Sequence, residues 1–544
     1  MPTENFHILL CLPYLYDFIS IYDFKKKYCN SVNKIYKAVA TLTVFSLIER
    51  VLGFGFKIYL SRELGASALG VYQVALSFFF VLLSVTISGL PLVTGKLTAA
   101  YDVTGKKKMS DSLVSAGLII NIIISVLLAV LVLIFQGILD NILASQESVL
   151  ILIIFLPAIL FGAAGAAFRG SLWGRERYFA VSVIELIEQI ARILICIVLF
   201  LIGINKLQAA AYSLVIAMLL NSALCAICYF RLGGRLANAK GQIKPLLSAS
   251  IPISGMRAAS SLVNSVMAVA VPFLFISAGL SKDASLAAYG ACLGMAFPLL
   301  YIPVTVVGAL AYTLIPSLSK AMAKGDKKEI KRQVESAINF SVIAAAVFVP
   351  AFYSIGKPLG VFVFGIEEAG QFMKLGGILL IPISLESIIS SMMNSLGLEK
   401  RGFVNYMIGN AVSFGIMFCF FGNFSIDVLF WAIMAALVIS TVLDIIAVKK
   451  KTGISLKFIR TIFMCALLAF PAISLTEWTF ALISAAPEWL SLSLCAMLSA
   501  VAFVLLAFVF GLIDFSIILR YGKKRTAGKL KSLPKPKQNS IIRT

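Results

Sequence analysis

Residues 112–138 read SLVSAGLIINIIISVLLAVLVLIFQGI, without a single charged side chain. As a helix rising about 1.5 Å per residue the stretch reaches about 40 Å, more than the roughly 30 Å hydrocarbon core of a bilayer. It has no period-2 alternation, and a lone span satisfies its backbone in lipid only as a helix. Two comparable windows precede it, at 38–61 and 72–95. Eleven follow, at 148–168, 181–202, 208–230, 247–278, 287–318, 334–355, 375–397, 403–421, 428–448, 457–475 and 490–514. Of 544 residues 60% are hydrophobic and 13% charged, and the mean hydropathy is +0.98. The expectation is an all-α polytopic membrane protein of about 14 transmembrane helices.

Loop charges test the count, because lysine and arginine collect on the cytoplasmic side. Placing the N-terminus inside puts 38 of the 47 basic residues in inner segments, among them Lys106, Arg175, Arg231, Lys328 and Lys449, and five outside. Both termini are therefore expected in the cytoplasm, in a multi-pass protein of the cytoplasmic membrane. The same bias accounts for the net charge of +22 without a nucleic-acid partner. The longest external loop, near 356–374, carries only Glu367 and Glu368 as acids. Residues 1–37 read as an N-terminal extension and 516–544 as a basic cytoplasmic tail.

The chain also repeats. Pro91 recurs as Pro316 and Pro157 as Pro382, both at an offset of 225, and the turn Leu172 to Arg177 is echoed by Leu396 to Arg401. Six helices per unit, an even number, give parallel repeats. The expected organisation is an N-lobe at 38–230, a linker at 231–245, a C-lobe at 246–450 and two further helices within 451–515.

His7 is the only histidine, and Cys225 and Cys228 form a C-x-x-C pair inside an apolar span, so neither metal nor cofactor is expected and no catalytic set stands out. The ionisable residues near mid-membrane are the informative ones, since each costs a few kcal/mol unless it pairs or faces water. Glu49 and Arg50, then Lys57, fall in the first span, Arg257 in the seventh and Glu386 in the tenth. These five are the candidate substrate-binding residues of a central cavity, with Arg50, Lys57 and Arg257 the basic side chains suited to an anionic head group. In the fifth span Glu188 and Arg192 are spaced to neutralise one another at i, i+4. Asp444 and Asp514, near basic ends, are expected to be solvated. Pro91, Pro298, Pro303 and Pro316 give the helices hinge points.

The segment Arg50-Val51-Leu52-Gly53-Phe54 with Lys57, followed by Ser61 to Ala66 and Leu69 to Gln73, resembles the stage V sporulation protein B and polysaccharide transporter family. So does Tyr289-Gly290 through Pro298 to Pro316. That family belongs to the multidrug, oligosaccharidyl-lipid and polysaccharide exporter superfamily. The resemblance implies two six-helix lobes rocking about a central cavity that carries a lipid-linked glycan among membrane lipids. Na+, H+ or the membrane potential would be the driving force. By analogy with the lipid II flippases of the superfamily, basic cavity residues hold a pyrophosphate and the last two helices form a groove for the lipid tail. Those flippases place arginine and aspartate where this chain has Phe56 and Lys57, which speaks against lipid II specifically. A cation-coupled multidrug antiporter would want an acidic cavity, which Arg50 and Lys57 oppose. A membrane polymerase or ligase would want a larger external loop.

Overall fold

The computed structural model describes residues 31–512 apart from 88, 144, 306, 309–317, 319–326, 454–457 and 484–485, with the backbone alone at 31–43 and 252. Helix is the only regular structure among the described residues. In chain order the α-helices are α1 (Ser31–Ile87), α2 (Leu90–Val103), α3 (Lys107–Ile134), α4 (Gln136–Ile142), α5 (Gln146–Gly174), α6 (Tyr178–Leu201), α7 (Lys206–Arg231) and α8 (Ile243–Ser277). Then come α9 (Lys282–Tyr289), running on into a π-helical turn (Gly290–Ala296), α10 (Lys327–Ala346), α11 (Val349–Phe364), α12 (Glu367–Ser395), α13 (Glu399–Cys419), α14 (Ile426–Thr452), α15 (Ile459–Ile483) and α16 (Glu488–Val509).

Among the described residues twelve stretches are long and apolar enough to cross a bilayer. The first, Val44–Val103, holds two crossings, because Gly65 breaks α1 with a φ of 74° that only glycine adopts freely. Helix α6 is a further crossing, as long as its neighbours but carrying Glu185, Glu188 and Arg192. The described residues thus make fourteen crossings, as the hydropathy windows predict. Turns alternate between a face bearing Gly65, Gly203 and Gly279 and a face bearing Lys106, Arg175 and Arg231, called here the Gly65 face and the basic face.

Lipid tails are as apolar as leucine, so membrane helices associate through close packing and interhelical hydrogen bonds. Helix α5 is the hub of the first half, packing on α1, α2, α3 and α7, and α12 is that of the second, packing on α10, α11 and α14. Helix α1 beyond its kink joins them by lying against α8, α9 and the π turn. There, near the Gly65 face, a methyl group on Gly70 would strike the carbonyl oxygen of Leu286, and one on Gly290 that of Ala66. The last pair, α15 and α16, packs on α11 and leaves Phe463, Phe470 and Trp478 exposed.

Four sequence expectations change or fall outside view. The stretch 356–374 is not a loop: α11 and α12 run through it and meet at Gly365, with the backbones of Gly360 and Gly370 in contact. Asp444 is not solvated but buried at 6% exposure, accepting a 2.6 Å hydrogen bond from Asn405 Nδ2 across α13 and α14. Part of the presumed N-terminal extension, from Ser31, is already the first helix, while residues 1–30, Asp514 and the tail at 516–544 lie outside the described residues. The linker, finally, is docked on the first half. Ala237 donates its backbone N–H to Ser115 Oγ at 2.9 Å, and Tyr101 its hydroxyl to Gln242 Oε1 at 3.2 Å. Beneath it Arg175 bridges Asp111 at 2.9 Å and Asp102 at 3.5 Å, and Tyr229 donates its hydroxyl to Asp111 at 2.8 Å.

Candidate functional site

Between α1, α8, the α9 and π segment, α12, α13 and α14 lies a cavity of about 360 Å³, a size typical of small-ligand sites. Helices α1, α13 and α14, the last with Ile433, Leu437 and Ser440, line it with residues at i, i+4 and i+7, a spacing that keeps side chains on one helical face. Gln73, Ser77 and Phe80 come from α1, and Tyr406, Asn410 and Ser413 from α13. Helix α8 contributes Ser261 and Asn264, and Arg257 precedes them on the same stripe, one turn toward the basic face.

The wall opposite is the π turn and the helix after it. Pro298 has no N–H for Gly294, four residues back, and the wider π turn takes up that mismatch just before the proline. It presents Leu293, Phe297 and Tyr301 to the cavity. Glu386, one turn beyond Pro382 in α12, is the only charged residue among the described residues of the lining. Its carboxylate makes no ion pair or hydrogen bond among the described residues. The Ser413 hydroxyl is buried without a partner among the described residues, and Asn410 spends its Nδ2 on the Tyr406 carbonyl at 2.9 Å.

A second polar group occupies the first half. Arg169 pairs with Glu185 at 3.3 Å. Glu188 accepts a 2.7 Å hydrogen bond from Asn221, while Arg192 donates to the Tyr72 hydroxyl at 2.9 Å and stands 5.3 Å from the centre of the Phe56 ring. Each therefore has a partner on another helix in place of the i, i+4 pair that the spacing offers. Helix α1 meets this network: Gly53 packs toward Gln189, half-buried Lys57 is in electrostatic reach of Arg192, and Glu49 is in reach of Glu185 and Glu188. One Glu49 carboxylate oxygen is buried and lacks a hydrogen-bond partner among the described residues.

The five sequence candidates therefore divide. Glu386 lines the cavity and Arg257 stands beside it; Glu49 and Lys57 face α6, and Arg50 is exposed next to Val51. Of the hinge prolines, Pro91 opens α2 after the break at Gly89, Pro298 and Pro303 sit in the helix beyond the π turn, and Pro316 is outside the described residues. Gln73, Asn264, Tyr406 and Asn410 carry no charge and are not among the sequence candidates, yet they line the cavity. Their signal was present as uncharged polar residues at helical spacing in apolar spans.

Residues 35–322 match the family described as polysaccharide biosynthesis protein. The chain is 23% identical to stage V sporulation protein B of Bacillus subtilis (strain 168), with 77% of this chain and 85% of that protein covered. It is 20% identical to the lipid II flippase MurJ of the same organism, over 82% of this chain and 89% of that one. A solved structure of lipid II flippase MurJ in an inward closed conformation superposes with a TM-score of 0.70 at 14% identity, covering 88% of this chain and 99% of that chain. An inward-facing multidrug resistance MATE family transporter superposes with a TM-score of 0.64 at 14% identity, covering 76% and 98%. With more than half its length inside the family match and a helical frame shared with both solved transporters, the chain belongs to the polysaccharide biosynthesis protein family.

Proposed function

We propose that the protein is a flippase that moves a lipid-linked oligosaccharide or cell-wall precursor across the cytoplasmic membrane by alternating access. The observation that carries this reading is the 360 Å³ cavity between the halves, lined on α8 by Ser261 and Asn264 one and two turns beyond Arg257. Arginine can grip a phosphate with two parallel hydrogen bonds, and the cavity beyond, with its mixed polar and aromatic lining, accommodates the rest of a head group. The similarity to a lipid II flippase and a sporulation protein supports the substrate class.

In this reading residues 38–230 and 246–450 are the rocking lobes, Pro91, Pro298, Pro303 and Pro316 the places where their helices bend, and the basic face is cytoplasmic. Arg50, exposed on α1, meets the phosphate from the first half, while Glu49 and Lys57 tune that side. Helices α15 and α16 with their exposed aromatic rings offer a surface to the lipid tail. An ion gradient or the membrane potential drives the cycle, and the polypeptide carries out transport without bond chemistry. The test is reconstitution in liposomes with a polyprenyl-pyrophosphoryl glycan. Transfer of the glycan to the opposite leaflet supports the reading; a rate equal to protein-free liposomes refutes it.

Glu386 favours one second reading, a cation-coupled multidrug antiporter, for which it would be the cavity acid. Raised resistance to cationic drugs on overexpression, lost in Glu386→Gln, would decide for it.

A further inference from the structure

We propose that the cavity of Gln73, Asn264, Tyr406 and Asn410 is a sugar subsite, separate from the phosphate position at Arg257, so that the head group lies along α8 with its phosphate toward the basic face. This rests on the flippase reading above and adds which part of the substrate each group takes.

A pyranose ring presents two surfaces: an edge of hydroxyls that both donate and accept hydrogen bonds, and a face of C–H groups that is apolar. The cavity offers both complements. Its three amides, Gln73, Asn264 and Asn410, carry donors and acceptors in one side chain, and the hydroxyls of Ser77, Tyr301 and Tyr406 do the same. Phe80, Phe297 and the two tyrosine rings supply flat apolar walls. Two acceptor or donor positions stand uncommitted among the described residues, the Ser413 hydroxyl and the Glu386 carboxylate.

A phosphate does not belong in this space. Among the described residues the lining has no cation, and Glu386, where ionised, repels an anion more strongly in a low-dielectric interior than in water. Arg257 lies four residues before Ser261 and seven before Asn264 on one face of α8, about 6 and 10 Å along the helix. A phosphate held at Arg257 thus places the sugar bonded to it at the level of the amides, without bending α8 or moving Glu386.

The test uses the full-length protein in nanodiscs and two probes, a polyprenyl pyrophosphate and the same lipid carrying a neutral N-acetylhexosamine disaccharide. Free disaccharide at millimolar concentration is a third arm that separates a lipid head group from a soluble sugar. The sugar-bearing lipid should bind about tenfold more tightly than the bare one, the worth of one net hydrogen bond or two. Asn410→Leu and Tyr406→Phe should each bring that ratio close to one, and Tyr406→Phe keeps the ring, which guards against a folding defect. Arg257→Gln should weaken both lipids and leave the ratio standing. Equal binding of the two lipids to the wild type, or a ratio untouched by both cavity variants, overturns the sugar subsite while the flippase reading survives. Binding of free disaccharide that the cavity variants abolish, with neither lipid bound, keeps the subsite and overturns the flippase reading. Binding of none of the three overturns both.

Discussion

The guanidinium of Arg62 donates through Nε to the carbonyl oxygen of Val363 at 2.9 Å, a partner 301 residues further along the chain. A second donation, from Nη2 to the carbonyl of Phe362, measures 2.6 Å. Arg62 stands three residues before the Gly65 kink, and its acceptors belong to the last turn of α11. Those carbonyls have no helical N–H to accept from and carry the negative end of the helix dipole. One side chain thus closes the Gly65 face between the halves, where Gly70 and Gly290 already bring α1 and α9 into contact.

Arg62→Ala should loosen that face. Two charge-assisted bonds at an exposed site contribute about 1 to 2 kcal/mol together, so the population opened at the Gly65 face should rise about tenfold. Spin labels at Asn205 and Glu368 report it as a growing long-distance component. An unchanged distance distribution would show that Arg62 does not hold the halves together.

The charge bias predicts orientation. In a cysteine-free background, an impermeant thiol reagent applied to intact cells should label a cysteine at Glu368, beside the turn at Gly365, and spare one at Lys328. The reverse pattern would invert the topology.

Arg257→Ala should slow transport at least about tenfold, from the loss of roughly 1.5 to 3 kcal/mol of charge-assisted phosphate binding. Lysine retains the charge but not the fork, so Arg257→Lys should fall between. For Arg50, which makes no ion pair with Glu49 among the described residues, the double change Glu49→Gln with Arg50→Gln should be as impaired as Arg50→Gln. A double variant with full activity, measured at equal protein level by complementation, would remove Arg50 from the phosphate grip.

The first-half network makes a stability prediction. Arg169 and Glu185 are both largely covered, so Arg169→Met leaves Glu185 without its cation and should cost about 2 kcal/mol. The double change Arg169→Met with Glu185→Leu should recover most of it, because two apolar side chains remove the stranded charge. Thermal denaturation in detergent decides; a double variant less stable than Arg169→Met would mean the pair is worth more than its desolvation.

Sequence by itself determined what is local or additive. About twenty apolar residues must span a bilayer wherever their neighbours lie, and each lysine or arginine biases its own loop, so the crossings and their alternation could be read one segment at a time. Even α6 was legible, despite Glu185, Glu188 and Arg192. Tertiary structure alone decided which partner each side chain met, because that depends on how every helix is rotated about its axis and which neighbour it faces. Glu188 could have bonded Arg192, one turn away, but the packing of α6 on α7 brings Asn221 to it instead. Asp444 sits near a basic end yet is buried because α13 delivers Asn405. Six segments far apart in the chain converge on the cavity, and Arg62 reaches Val363 only because a kink at Gly65 turns α1 back across the interface. Contacts of that separation leave no periodic trace in either segment, so they exist only once the helices have packed.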